Sequence, residues 1–229
     1  MIGQNNKGFS MVEVLVTIVI LMIGLLGLAG LQARALTSQM ESYQRAQALV
    51  LMKDMTDRIN SNRIAASCYS LTSTQFLGTG STLPIPAVAT CATTVKTEYD
   101  TLHATDVPPL TMTAATATAV ATNAVADMNS WHNALLGASE VSNTGLNVGA
   151  MIGARGCVFR ISALAPGVSG KYVVVVAWQG MNSTAAPENL TATSPGKCGF
   201  GQYKDKDGNV NEALHRTVSI PIDFAYLTN

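Results

Sequence analysis

From Val14 to Leu31 the chain runs for 18 residues without a charge, and nothing else in its 229 residues matches that stretch. A run of this length and composition can cross a bilayer. Widened to Phe9–Leu31, the segment has 23 residues and one charge, Glu13. As a helix rising ~1.5 Å per residue it covers about 35 Å, a hydrocarbon core crossed with some tilt. With a single such run, everything after Leu31 is expected on one side of the membrane. Ahead of it, Met1–Gly8 is short and polar, with Lys7 its one cation.

Glu13 needs a physical reason, because a carboxylate in a span costs a few kcal/mol and usually has a partner and a function. An ordinary secretory signal does not supply one. It would be cut after the apolar run at small residues, for which Ala33-Arg34-Ala35 is a weak candidate. Eighteen residues are long for such a segment, and Glu13 near its start would weaken insertion. Cleavage between Gly8 and Phe9 would instead create a cation at the right depth, the new α-amine of Phe9. Glu13 lies four residues on, on the same helical face and about 6 Å along the axis. Paired between chains, the two charges would fix the stagger of neighbouring helices.

Lys7-Gly8-Phe9-Ser10-Met11-Val12-Glu13-Val14 resembles the prepilin signature of type IV pilins and type II secretion pseudopilins. The resemblance implies that a prepilin peptidase cuts after Gly8 and methylates the α-amine of Phe9, and that Glu13 is the assembly glutamate. Asp54-Met-Thr-Asp57-Arg58-Ile-Asn-Ser-Asn62, Asp127-Met-Asn-Ser-Trp131 and Tyr172–Gly180 resemble segments of minor pilins of the PilV type. The family implies an α+β fold, a long N-terminal helix packed on an antiparallel-sheet pilin head. It also implies partners: other minor and major pilins through that helix, the peptidase, and an inner-membrane assembly platform. The membrane would hold the subunit, head in the periplasm, until it enters the pilus, at its tip in the PilV-type reading.

Residues 1–8 are thus expected to be a removed leader, 9–63 the long helix of roughly 80 Å, and 64–229 the head. From Gln32 to Arg63 there is no proline or glycine, and Leu36, Met40, Tyr43, Gln47, Val50, Leu51, Met55 and Ile59 form the expected apolar stripe. Gly24, Gly27 and Gly30, at three-residue steps in the span, allow either close helix approach or local loosening. Residues 70–125, rich in Thr, Ala and Ser, predict a long, loosely structured connection. A helix is expected from Thr118 to Leu136, stopped by Gly137, with Trp131 as a core anchor. In the C-terminal part, 156–229, alternation predicts strands at Cys157–Ala163, Tyr172–Trp178 and Arg216–Phe224, with Pro221 at an edge or near a strand end.

Four cysteines downstream of a membrane segment suggest disulfides in an oxidising compartment. Cys68, Cys91, Cys157 and Cys198 allow three connectivities. Cys68–Cys91 with Cys157–Cys198 is favoured: the first pair would tether the irregular segment to the long helix. The second would pin the return loop to the sheet, as C-terminal disulfides do in many pilins.

Other chemistry finds little support. Lys+Arg and Asp+Glu both number 14, so no basic excess marks a nucleic-acid surface. His103, His132 and His215 are isolated, and no nucleophile elbow, P-loop or dinucleotide fingerprint occurs. Asp205–Arg216 opens like a calcium loop, but Val210 stands where glycine and Arg216 where glutamate should be. No catalytic residue, metal or cofactor is expected. The reading is a minor pilin that helps initiate, assemble or modify a pilus. Its alternatives are a minor pseudopilin of a type II secretion system and a membrane-anchored binding protein that does not assemble.

Overall fold

The computed structural model describes residues 8, 10–82, 85–138, 141–145, 147, 151–165, 169–189 and 191–225. Two compact units are distinguished, 1–43 and 44–229. Helix α1, Met11–Ser61, begins in the first and ends in the second. In the first unit the apolar side chains from Val14 to Leu31 are exposed. The three glycines of the span sit in regular helix with open space around them.

In the second unit α1 presents Gln44, Ala48, Met52, Met55, Thr56 and Ile59 to the core. This differs from the expected stripe: Val50 is 68% exposed, and Leu36, Met40 and Tyr43 are exposed too. The buried face uses small residues, Ala48 and Thr56, where a search for large apolar side chains passes over them. Asn62 leaves helical geometry, and a 3-10 segment, Arg63–Tyr69, carries Cys68 into the head.

The expected irregular connection contains a 15-residue helix, α2, Val88–Leu102. Five threonines and two valines give it weak intrinsic propensity. It buries only Cys91, Ala92 and Val95, on one face. Thr93, Thr94 and Thr101 fold their hydroxyls back onto carbonyls four residues earlier. Helix α3, Ala114–Leu135, starts earlier than expected because the side chain of Thr113 caps it, accepting the Thr116 N–H at 3.1 Å. It ends as expected at Gly137, φ +76°. There the N–H groups of Gly137 and Ala138 donate to the carbonyls of Ala134 and Asn133, a Schellman closure.

The sheet is antiparallel in the order β1-β2-β3-β4, with β1 Leu77–Gly78, β2 Arg155–Ser162, β3 Gly170–Gln179 and β4 His215–Phe224. Val158 pairs with Val174 and Val174 with Ile220. Strand β3 is central and covered on both faces, which explains its unbroken apolar run. Tyr172, Val174, Val176 and Trp178 face the main core with the helices, whereas Val175 and Ala177 join Cys157, Phe159, Cys198 and Tyr203 in a smaller cluster. Pro221, opposite Val173, lies in the edge strand β4. Gly156 lets Trp131 lie against β2, since a Cβ there would meet the indole at 2.4 Å.

Candidate functional site

Two regions carry the residues singled out from sequence: the start of α1 and the polar and disulfide framework of the head. At the start of α1, Gly8 is exposed with no atom within 4 Å of where its Cβ would be. Phe9 lies outside the described residues. The Ser10 carbonyl accepts the N–H groups of Glu13 and Val14 at 3.0 and 3.3 Å, and its hydroxyl receives the Val12 N–H at 3.4 Å. Ser10 is therefore the N-cap, and Glu13 the exposed acid of the first turn. A carboxylate here faces the positive end of the helix dipole and the N–H groups left without intrahelical partners. The spacing Ser10-x-x-Glu13 also has the form of a capping box.

In the head, the quoted segments around Asp54–Asn62 and Asp127–Trp131 converge. The Arg58 guanidinium donates from Nε to both Asp54 oxygens at 3.0 Å and from Nη1 to Asp127 Oδ1 at 2.9 Å. Tyr69 Oη donates to Asp127 Oδ2 at 2.6 Å, while Asn62 Nδ2 donates to Tyr69 Oη and to the Val120 carbonyl. The network ties the end of α1, the 3-10 segment and α3 together. Burial, reinforced by the Asp127 carboxylate, pushes the Tyr69 hydroxyl well above its ordinary pKa. Burial would lower the Arg58 guanidinium, but its two carboxylate partners outweigh that and raise it. Trp131 adds a further tie, donating from Nε1 to the Leu51 carbonyl at 2.9 Å.

The cysteines are joined as Cys68–Cys91 and Cys157–Cys198, with Cα separations of 5.4 and 5.7 Å. The first bridges the 3-10 segment and α2; the second bridges β2 and the loop before β4. Around the second, Arg155 lies 4.8 Å from the Tyr203 ring centroid and 5.2 Å from that of Phe76, and His215 stacks on Tyr203. Burial pushes the Tyr203 hydroxyl up to about 12. Nothing in the spacing of these residues signals their meeting, since they come from four separate segments.

The calcium-like loop is closed by its own side-chain and backbone hydrogen bonds. Asp205 Oδ1 accepts the N–H groups of Asp207 and Asn209, Asp207 pairs with Lys206, and Glu212 holds Gly201 N–H and His215 Nδ1. Among the described residues, no cluster of His, Cys, Asp and Glu is placed to hold a metal ion. His132 is buried, its Nδ1 accepting the Gly78 N–H at 3.0 Å, and burial lowers its pKa.

Comparison with known proteins adds two family matches. Residues 3–29 match the prokaryotic N-terminal methylation motif. Residues 30–102 match the family described as Type IV pilin Tt1218. No curated protein and no solved structure matches the chain. The two matches adjoin, and together they cover the apolar segment, the rest of α1, the Cys68–Cys91 bridge and α2. The N-terminal motif, the long apolar helix and the α+β head thus support a type IV pilin-like chain, a kind of structural subunit, with the family matches themselves confined to residues 3–102.

Proposed function

We propose that this subunit is a minor pilin, made as a precursor and processed between Gly8 and Phe9, with N-methylation of Phe9. One observation carries the reading. The same helix supplies the uncharged stretch 14–31 headed by Glu13 and, from Gln44 to Ile59, part of the head's core. An anchor continuous with the head's packing suits a subunit extracted from the membrane and stacked by its helix. In this reading the head is periplasmic before assembly. Glu13 pairs with the Phe9 α-amine of a neighbour, and the partners are other minor and major pilins and the inner-membrane assembly platform. Minor rather than major status is supported by the PilV-type segments, whose Arg58, Asn62 and Asp127 build one network, and the long Thr/Ala-rich insert leans away from a pseudopilus. The subunit would then initiate or modify the filament from its tip.

Intact-mass analysis of membrane and sheared-filament fractions from the native host tests this. The expected chain has 221 residues, the 229 less the leader of eight, starts at N-methylated Phe9, and is scarce in filaments relative to the main subunit. A chain starting at Met1 or Leu36 would overturn the processing. Intact piliation with a secretion defect, on deleting the gene, would move the assignment to a pseudopilus.

A further inference from the structure

One end of the head carries two complementary features. The first is a cleft of about 250 Å³ with apolar walls, among them Ile64, Tyr99, Leu102, Leu164, Tyr172 and Phe224. A dry cavity of about 150 Å³ suffices for benzene, so this cleft has room for more than one small apolar side chain. Arg63 stands at the cleft, exposed and without an ion pair among the described residues. Ser67 Oγ, also at the cleft, is buried with no hydrogen-bond partner among the described residues.

The second feature is the knob Val107-Pro108-Pro109-Leu110 between α2 and α3. Val107 is 98% exposed and Leu110 42%. Polar clamps hold both ends of it. His103 Nδ1 meets Asp106 Oδ2 at 2.7 Å. Asp100 Oδ1 accepts the Met112 N–H at 2.7 Å, and Lys96 Nζ donates to the Met112 carbonyl at 2.7 Å. A knob held this way loses little freedom on docking. Asp106, next to Val107, gives it an acidic flank opposite in sign to the free cation of the cleft.

We propose that this end of the head is a self-complementary docking surface: the Val107–Leu110 knob of one copy enters the Ile64–Tyr99–Phe224 cleft of a second copy. Asp106 of the entering copy lies near Arg63 of the receiving one. Each copy offers both halves, and the contact proposed is the two-fold pair in which both knobs seat in both clefts at once, which closes and does not propagate. The occupant is argued from shape and charge present on one molecule. The inference does not depend on entry into a filament.

The test is site-directed cross-linking of the full chain in membranes of cells that lack the pilus machinery. All four native cysteines are in disulfides, so introduced thiols are the only free ones. Copies carrying Val107→Cys and Ile64→Cys, produced together and oxidised, are expected to form a disulfide-linked dimer. Its yield should be about tenfold above that of Val107→Cys with Lys206→Cys, a tenfold preference being ~1.4 kcal/mol. Arg63→Glu in the receiving copy should lower the yield about two- to fivefold at low salt, the size of one exposed ion pair. Leu164→Cys replaces Ile64→Cys if that copy does not accumulate. Equal yields at the cleft and at Lys206→Cys would overturn the proposal. So would capture of Val107→Cys by a different membrane subunit while the cleft thiols stay unlinked.

Discussion

Removing the Asp127 carboxylate tests whether the network at the end of α1 stabilises the head. In Asp127→Ala the Tyr69 hydroxyl, on a side chain with no solvent exposure, loses the acceptor at 2.6 Å and keeps only the Asn62 amide, a donor. Leaving a buried hydroxyl proton unpaired costs about 1–3 kcal/mol. Arg58 loses one partner but retains Asp54. With side chains 32% and 21% exposed, the Arg58–Asp127 pair contributes at most about 1 kcal/mol after solvent screening. The sum is roughly 1–4 kcal/mol, or a fall in Tm of about 2–16 °C for a unit of this size. Trp131 and Trp178, both in the head core, report its unfolding by fluorescence of the full chain in mild detergent, without a signal from the apolar segment. A double-mutant cycle with Tyr69→Phe isolates the shared bond. Tyr69→Phe leaves Asp127 partly hydrated and should cost about 1 kcal/mol, with a coupling near 1.5–2 kcal/mol for a hydrogen bond to a charged group. Coupling below about 0.5 kcal/mol would show that the two residues act independently, and the network account would be refuted.

Glu13→Ala should insert into the membrane as well as the natural sequence or better, since a carboxylate leaves the span, yet enter filaments poorly; equal incorporation would remove the register role. Gly156→Ala forces a methyl to 2.4 Å from the Trp131 ring and 2.6 Å from Leu135. It should destabilise the head by at least about 1–3 kcal/mol, with partial recovery in Trp131→Phe measured by thermal unfolding. Because His132 has a lowered folded pKa, its contribution is complete above the unfolded value of about 6.5 and fades as pH falls through the folded value. His132→Asn, which keeps an acceptor near Gly78 N–H, should therefore flatten the loss of stability below about pH 6.5 in a pH series of unfolding curves.

Why some elements were legible from sequence and others were not follows from what each rests on. Strands β2, β3 and β4 are encoded locally, by alternation or by an apolar run between turns, and they lie within two residues of the expected positions. The stop of α3 at Gly137 is equally local. Helix α2 is not, because its threonines favour other conformations and its order comes from packing and the Cys68–Cys91 bridge. The buried stripe of α1 is less legible in the sequence because Ala48 and Thr56 matter there for being small. At the candidate site, the start of α1 is readable because the position of one carboxylate against an apolar run is a one-dimensional fact. The meeting of Arg155, Tyr203, Phe76 and His215 depends on how four segments come together, and spacing carries no trace of it.

The proline opposite Val173 has a further consequence. Strand β4 forms one margin of the sheet, where Pro221 supplies no N–H, and the other margin is β1, two residues long. Pro221 removes one donor from the outer strand β4, and β1 covers only Arg155 and Gly156 of β2. Subunits held side by side in a membrane meet at high local concentration, where an open margin would invite strand-to-strand joining and irreversible fibres. In the proposed assembly, the proline in β4 would disfavour strand-to-strand joining at that margin and leave association there to side chains and helices.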